Sequence, residues 1–228
     1  MSPFSNEKTP SFTINDEKGF YHCFSSGEHG NIFDFLMKTK NFKFGEAVRA
    51  LAADAGMKPY RFTKEDEERQ NRWTIYNSIL DKYANFCHEE LLSNKYPEVI
   101  KYLEKRKLTK KEVVFFKIGY APPQHDFYEK LKRDYNENQI SSSGIFYLDE
   151  NRKKYLDRFR NRIIFPVKNL NNSIFAIGGR ALSKTNFAKY INSPETEFYK
   201  KGNNLYNISE AKKFTTKNET IFIVEGYM

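Results

Sequence analysis

Three short apolar runs constrain this chain more than any other feature. Ile163–Val167, Ile174–Ile177 and Ile221–Val224 are four or five residues long, and runs of that kind read as buried strands. Before Ser141-Ser-Ser-Gly144 the pattern differs, because apolar residues recur mostly at helical spacing. The chain is therefore expected to be α+β, with its helices mostly early and its larger sheet late.

The first 57 residues form a unit by themselves. Ser11–Ile14 and Gly19–Phe24, split by Asn15-Asp16-Glu17-Lys18, give a hairpin signal. Asn31–Lys38 carries Ile32, Phe33, Phe35, Leu36 and Met37 on a helix-length apolar segment. Phe44–Ala55 repeats it with Val48, Leu51, Ala52 and Ala55, and stops at Gly56, a helix C-cap. Tyr60–Gln70 is charged and, apart from Phe62, lacks apolar periodicity; it is either a linker or the solvated start of a helix. Trp73–Leu92 then places Trp73, Tyr76, Ile79, Leu80, Tyr83, Phe86 and Leu91 at helical spacing. Pro97 opens a helix ending near Lys105, Thr109 caps Lys110–Phe116, Ile118-Gly-Tyr-Ala-Pro-Pro breaks that helix, and Asp126–Arg133 is helical again.

Charge bears on function. The 228 residues carry a net charge of +9. That serves solubility or an anionic partner, nucleic acid before membrane. The 21 Phe and 15 Tyr supply core volume and argue against global disorder. Cys23 and Cys87, neither in a C-x-x-C pair, make no disulfide framework and fit a reducing cytosol. No apolar run approaches the roughly 18 residues of a membrane span, and no signal pattern opens the chain. Both ends read as cut, so a fragment is expected.

Several groups are candidates for chemistry. Arg158, Arg160 and Arg162 would share one face of a strand, as either a charge-blunted edge or a phosphate track. Gly178-Gly179-Arg180 is either a bulge or tight turn with a surface Arg or a backbone device that presents the Arg. Lys189 and Lys201 add to a positively charged, Gly-punctuated sheet. Glu225, after the apolar run Ile221–Val224, either serves as a metal ligand or general acid–base group in a sheet crevice, or satisfies the amides of the next turn. Cys23 with His29 is too few ligands for a structural zinc site, and Cys87 reads as packing.

Taken in order, these motifs resemble bacterial DnaG-type primases over nearly the whole chain. Ser2-Pro-Phe-Ser5 through Phe12, followed by Phe20-Tyr-His-Cys-Phe24, looks like that family's zinc-ribbon module. Tyr102-Leu-Glu-Lys-Arg106 and Ile118-Gly-Tyr-Ala-Pro122 resemble the opening of its RNA polymerase domain. Arg158–Pro166, Ile177–Ala181, Lys189–Thr196 and Glu225–Met228 follow in family order, the last resembling the first Toprim motif, cut before the next acidic residue.

The resemblance implies a degenerate zinc-ribbon-like DNA-binding module at residues 1–57 and a linker at 58–72. The N-terminal subdomain of the polymerase core follows at 73–218, a mixed α/β part, with a truncated Toprim start at 219–228. It implies a DNA primase, an RNA polymerase that makes primers for replication, of which the fragment alone is inactive. Glu225 would be catalytic and would bind Mg2+ (or Mn2+) with acidic residues beyond the fragment. Arg106, Arg158, Arg160, Arg180, Lys189, Asn192 and Lys201 would contact nucleic acid or nucleotide in one cleft. The implied partners are single-stranded DNA template, nucleoside triphosphates, RNA primer and, through a C-terminal region, the replicative helicase, in the bacterial cytoplasm.

Two departures stand out. The family's C-x2-H and C-x2-C zinc slots hold Ser2, Ser5, Cys23 and Ser26, so zinc is not expected. Phe20, Tyr21, Phe24 and Phe33 are expected to pack a small core instead. Lys107 replaces a glycine commonly seen after the matched arginine. The alternative function is a non-catalytic single-strand-binding module derived from a primase. A Toprim nuclease or topoisomerase is disfavoured by the matches upstream of Glu225.

Overall fold

The computed structural model describes residues 2–7, 9–16, 19–58, 63–182, 188–215, 220–224 and 226. It divides into two compact units, Met1–Asp66 and Glu67–Met228. Glu225 lies outside the described residues.

In the first unit the expected hairpin forms from β1 (Phe12–Asn15) and β2 (Phe20–Cys23), in register from Phe12 opposite Cys23 to Asn15 opposite Phe20. A two-residue strand β3 (His29–Gly30) adds to β2. Helix α1 (Ile32–Lys40) starts in a capping box of Asn31 and Asp34. Helix α2 (Phe44–Asp54) closes at Gly56, φ +65°, where Met57 N–H donates to Ala52 O and Gly56 N–H to Ala53 O, a Schellman motif.

The small core differs from expectation. Phe4, Phe12, Tyr21 and Phe35 form an aromatic quartet with ring centroids 5.3 to 6.0 Å apart. Phe20 is 41% and Phe24 71% exposed. The period of a strand explains this: Tyr21 and Cys23 point inward, so Phe20, His22 and Phe24 take the outer face. Phe33 packs on Phe44 at 5.6 Å, away from the quartet.

Helix α3 (Lys64–Leu92) spans 29 residues, so of the two readings of the charged segment before Trp73 the helical one holds from Lys64. Its buried stripe is Tyr76, Ile79, Leu80, Tyr83, Ala84, Cys87 and Leu91, a helical-period face. Short helices α4 (Pro97–Lys105) and α5 (Lys110–Phe115) follow. Then come β4 (Gly119–Ala121), α6 (Phe127–Leu131), α7 (Glu137–Ser142) and a hairpin of β5 (Phe146–Asp149) and β6 (Lys154–Asp157).

The main sheet has the order β4-β7-β8-β9, with β7 at Arg162–Lys168, β8 at Ile174–Ala181 and β9 at Tyr190–Asn192, all antiparallel. A 3-10 turn (Lys201–Asn203) and α8 (Ile208–Phe214) complete the described elements. β7 and β8 are buried almost end to end because both sheet faces are covered. Ile164 and Ile177 pack in a core with Ile79, Tyr83 and Cys87 of α3. Ile163 and Phe165 pack with Val99 and Leu103 of α4 and Val113 of α5. Tyr76 ties helix to sheet, its hydroxyl donating to Phe175 O at 2.7 Å. Truncating one such buried side chain costs about 2–5 kcal/mol.

Ile221–Val224, expected as a buried strand, is not one. It has no strand partner among the described residues and is 45 to 85% exposed. An apolar run becomes a strand only when a neighbour takes its N–H and C=O groups.

Candidate nucleic-acid interface

The register of β7, β8 and β9 divides the expected site residues between the two faces of the sheet. Arg180 pairs with Ile163 on one side and Tyr190 on the other. Arg162, one residue from Ile163, pairs with Ala181, so Arg162 and Arg180 project from opposite faces. The expectation of one basic cleft is corrected to two basic groups.

The first group forms around Arg180. Gly178 pairs with Asn192, which places Asn192 on the Arg180 face. Arg180 is 3% exposed. Its Nε donates to Tyr190 Oη at 3.0 Å, and its Cζ lies 5.5 Å from the Tyr190 ring centre and 4.8 Å from that of Tyr102. Its Nη1 is buried and has no hydrogen-bond partner among the described residues. Arg106 caps α4, one turn beyond Tyr102, with its Cζ 5.8 Å from the same ring. Lys189 is exposed, its Nζ 5.6 Å from the Tyr190 ring.

Lys107 allows Arg106 this position. It adopts φ +60°. Leu108 N–H donates to Leu103 O at 3.0 Å and Lys107 N–H to Glu104 O at 2.8 Å, a Schellman ending normally given to glycine. The loop geometry is kept despite the lysine.

The second group is a turn, not a strand face. Arg158 and Arg160 sit in the turn 158–161, and only Arg162 enters β7. The expected alternation along one strand fails because Asn161 turns at φ +58°. Asp157 organises the turn: its Oδ1 accepts from Phe159 N–H at 2.6 Å, and its Oδ2 bonds Tyr83 Oη at 2.7 Å and His125 Nε2 at 2.9 Å. The three arginines nonetheless line one cleft of about 570 Å³, together with Tyr147 and Pro123. Arg158 Nε donates to Gly144 O, and Arg160 Nη1 to Tyr147 Oη. Arg162 Nη1 donates to Ala188 O at 2.8 Å, and burial, then the neighbouring Arg160 charge, lowers its pKa. Gly179 makes this possible: a Cβ there would lie 2.8 Å from the Phe159 ring and 3.2 Å from Arg162 Cδ. The tight-turn reading of Gly178-Gly179 does not hold, since both are paired mid-strand.

Lys201 is exposed in the 3-10 turn, its N–H donating to Glu195 Oε1 at 3.2 Å. Sequence reasoning missed the tyrosines. Tyr102 stands four residues before Arg106 and Tyr190 directly after Lys189, which were readable signals. Tyr147 reaches Arg160 only through the fold.

In the first unit the zinc-slot residues gather without a zinc donor set. Cys23 Sγ lies 3.0 Å from Ser2 Oγ, 3.3 Å from Ser25 Oγ and 3.6 Å from Ser11 Oγ, and Ser5 Oγ bonds Ser25 Oγ at 2.6 Å. Glu7 anchors the cluster. Its carboxylate accepts from the Ser11 hydroxyl, from Ser25 Oγ at 2.8 Å, from Ser2 N–H at 2.7 Å and from Ser11 N–H at 3.1 Å. These bonds, the Ser11 hydroxyl foremost, hold Glu7 down at about 2 against an opposing desolvation. Burial raises the Cys23 thiol, but the hydroxyls of Ser2, Ser25, Ser26 and Ser11 outweigh it and bring it to about 5. A structural zinc site takes four thiolate, imidazole or carboxylate donors, and among the described residues no three His, Cys, Asp or Glu side chains come together. The donor set does not fit zinc.

Comparison with known proteins bears on both units. Residues 86–212 match the family model "DNA primase catalytic core, N-terminal domain", and residues 1–68 match "CHC2 zinc finger". The chain is 38% identical to a DNA primase of Escherichia coli (strain K12), over 99% of this chain and 39% of that protein. It is 37% identical to a DNA primase of Halalkalibacterium halodurans, over 100% of this chain and 38% of that protein. It thus spans about 39% of the length of the curated relatives it matches. Among solved structures, the Aquifex aeolicus primase (zinc binding and RNA polymerase domains) superposes with a TM-score of 0.56 at 28% identity, over 93% of this chain and 51% of that one. A DnaG primase catalytic domain bound to single-stranded DNA gives 0.57 at 30% identity, over 63% and 45%.

Proposed function

This chain belongs to the bacterial DnaG-type DNA primase family, and from that premise we propose that it supplies the template- and nucleotide-holding surface of a primase. The whole enzyme, in this reading, copies single-stranded DNA into short RNA primers from nucleoside triphosphates and works with the replicative helicase in the bacterial cytoplasm. The described residues contain no helix long and apolar enough to cross a membrane.

The observation that carries the reading is Arg180. A buried guanidinium nitrogen without a hydrogen-bond partner is costly. A phosphate oxygen satisfies it with a charge-assisted bond. Arg106, Lys189 and Asn192 gather on the same side, so this group suits phosphate rather than a neutral ligand. The Arg158–Arg160–Arg162 cleft is a second basic site suited to phosphates, and Lys201 extends the basic surface. A similar catalytic domain binds single-stranded DNA, which favours that polymer as the source of the phosphates.

Glu225 is the proposed catalytic carboxylate and ligand of Mg2+ (or Mn2+). When bound, the ion neutralises charge on the transferring phosphate. The described residues do not by themselves converge as a metal site, so their proposed part is to bind and orient phosphates. The first unit is proposed to engage template without zinc, since three of the four slots hold serine.

Titration of a fluorescein-labelled oligothymidylate with the chain at several salt concentrations tests this. Wild type binds, and its affinity falls as salt rises. Arg180→Gln, with thermal unfolding to confirm the fold, weakens binding about tenfold, in line with a lost charge-assisted bond, and lowers the salt slope by about one. Absence of wild-type binding, or equal binding by a folded Arg180→Gln, overturns the reading.

A further inference from the structure

Two cations of the Arg180 group converge on one aromatic ring. Arg180 reaches it from β8, with Cζ 4.8 Å from the Tyr102 centroid. Arg106 reaches it from the end of α4, with Cζ 5.8 Å away. Like charges drawn together in a site with little water repel, and Arg180 meets this while 3% exposed. Tyr190 fixes only the Nε edge of its guanidinium, and Nη1 stays without a partner among the described residues. The face of a Tyr ring carries negative quadrupole density that attracts guanidinium groups. Both guanidinium groups lie over the Tyr102 ring. Its hydroxyl makes no hydrogen bond among the described residues, so its role here falls to the ring.

We propose that Tyr102 is a positioning residue of the phosphate site: its ring holds both Arg106 and Arg180 and leaves the buried, unpartnered Nη1 edge of Arg180 for a phosphate. This deepens the nucleic-acid reading and rests on it for the ligand. Tyr102 touches no ligand in this scheme and acts through the two arginines. It also explains why a helix end and a mid-strand residue far apart in sequence serve one site. The helical spacing of Tyr102 and Arg106 sets one side of the ring contact, and the β8 register sets the other.

The test uses the full chain with Tyr102→Leu and Tyr102→Phe. Leucine keeps apolar volume on α4 but removes the π face; phenylalanine keeps the face and loses only the hydroxyl. In the oligothymidylate titration, Tyr102→Leu weakens binding about fivefold, the order of one cation–π contact, and lowers the salt slope. Tyr102→Phe restores both. A second measurement needs no DNA: the Arg180 Nε–Hε resonance in NMR is shifted upfield by the ring in wild type and Tyr102→Phe, and loses that shift in Tyr102→Leu.

A folded Tyr102→Leu chain with wild-type affinity and an unchanged Arg180 resonance overturns the proposal, as does equal weakening by both variants. If wild type fails to bind, the nucleic-acid reading falls. The resonance then still decides the proposal, because the upfield shift reports whether the ring holds Arg180.

Discussion

Lys107 occupies backbone space that suits glycine. At φ +60° a side chain costs about 1 kcal/mol relative to glycine, offset in part by the larger unfolded-state entropy of glycine. The lysine is read directly from the sequence, but its backbone angle is set by the two Schellman bonds that end α4. Lys107→Gly is therefore expected to raise unfolding free energy by about 0.5–1 kcal/mol. The single tryptophan, Trp73, lies in the same unit, so its fluorescence in urea reads the midpoint. An unchanged or lower midpoint would show that the lysine side chain makes a compensating contact. Arg180 illustrates the limit of reading residues singly. Its identity marks a cation, yet its burial and its free Nη1 follow from Tyr102 and Tyr190, neither adjacent in sequence.

At the scale of elements, most helices were legible because their signals are local. Thr109 and Gly56 cap α5 and α2 where capping residues were expected, and Asn31 caps α1 as well. β4 was not legible. Ile118-Gly-Tyr-Ala reads as a helix break, and becomes a strand only because β7 offers an edge at Ile163 and Ile164. Gly119 is the condition for that docking: a Cβ there would lie 2.7 Å from the carbonyl carbon of Cys87 and 2.8 Å from His88 N. Helix backbone cannot yield as a flexible side chain does. Gly119→Ala is accordingly expected to destabilise by about 1–3 kcal/mol, whereas Gly202→Ala, which meets nothing within 4 Å, shifts the urea midpoint little. Equal midpoints for the two variants would refute the close packing of α3 and β4.

At the scale of the whole molecule, the first unit tests how a family frame survives the loss of its metal ligands. It contains an aromatic quartet and the Glu7–serine–Cys23 network, proposed to hold it in place of a metal centre. Glu7 titrates lower folded, at about 2, than its ordinary value of 4.5. Its contribution is therefore complete above about pH 4.5 and is lost as pH falls through about 2. Amide hydrogen exchange in β1 and β2 should be unaffected by a zinc chelator. Protection there, with the pH dependence of intrinsic exchange divided out, should fall on acidification across that window, and Glu7→Gln should flatten the acid response. Stoichiometric zinc in the purified chain, or loss of protection with chelator, would refute the metal-free frame.

The sequence by itself determined the α+β class, the hairpin, the helix ends, the basic residues and the family resemblance, because periodicity, capping and ordered motifs are written in neighbouring residues. Only the tertiary structure decided which of those residues meet. It turned Arg158 and Arg160 into a turn, put Arg162 and Arg180 on opposite faces, exposed Phe20 and Phe24, and brought Glu7 to Ser11 and Ser25. The reason is physical. Strand register and helix docking are set by long-range burial, and a shift of one residue moves a side chain to the other face of a sheet.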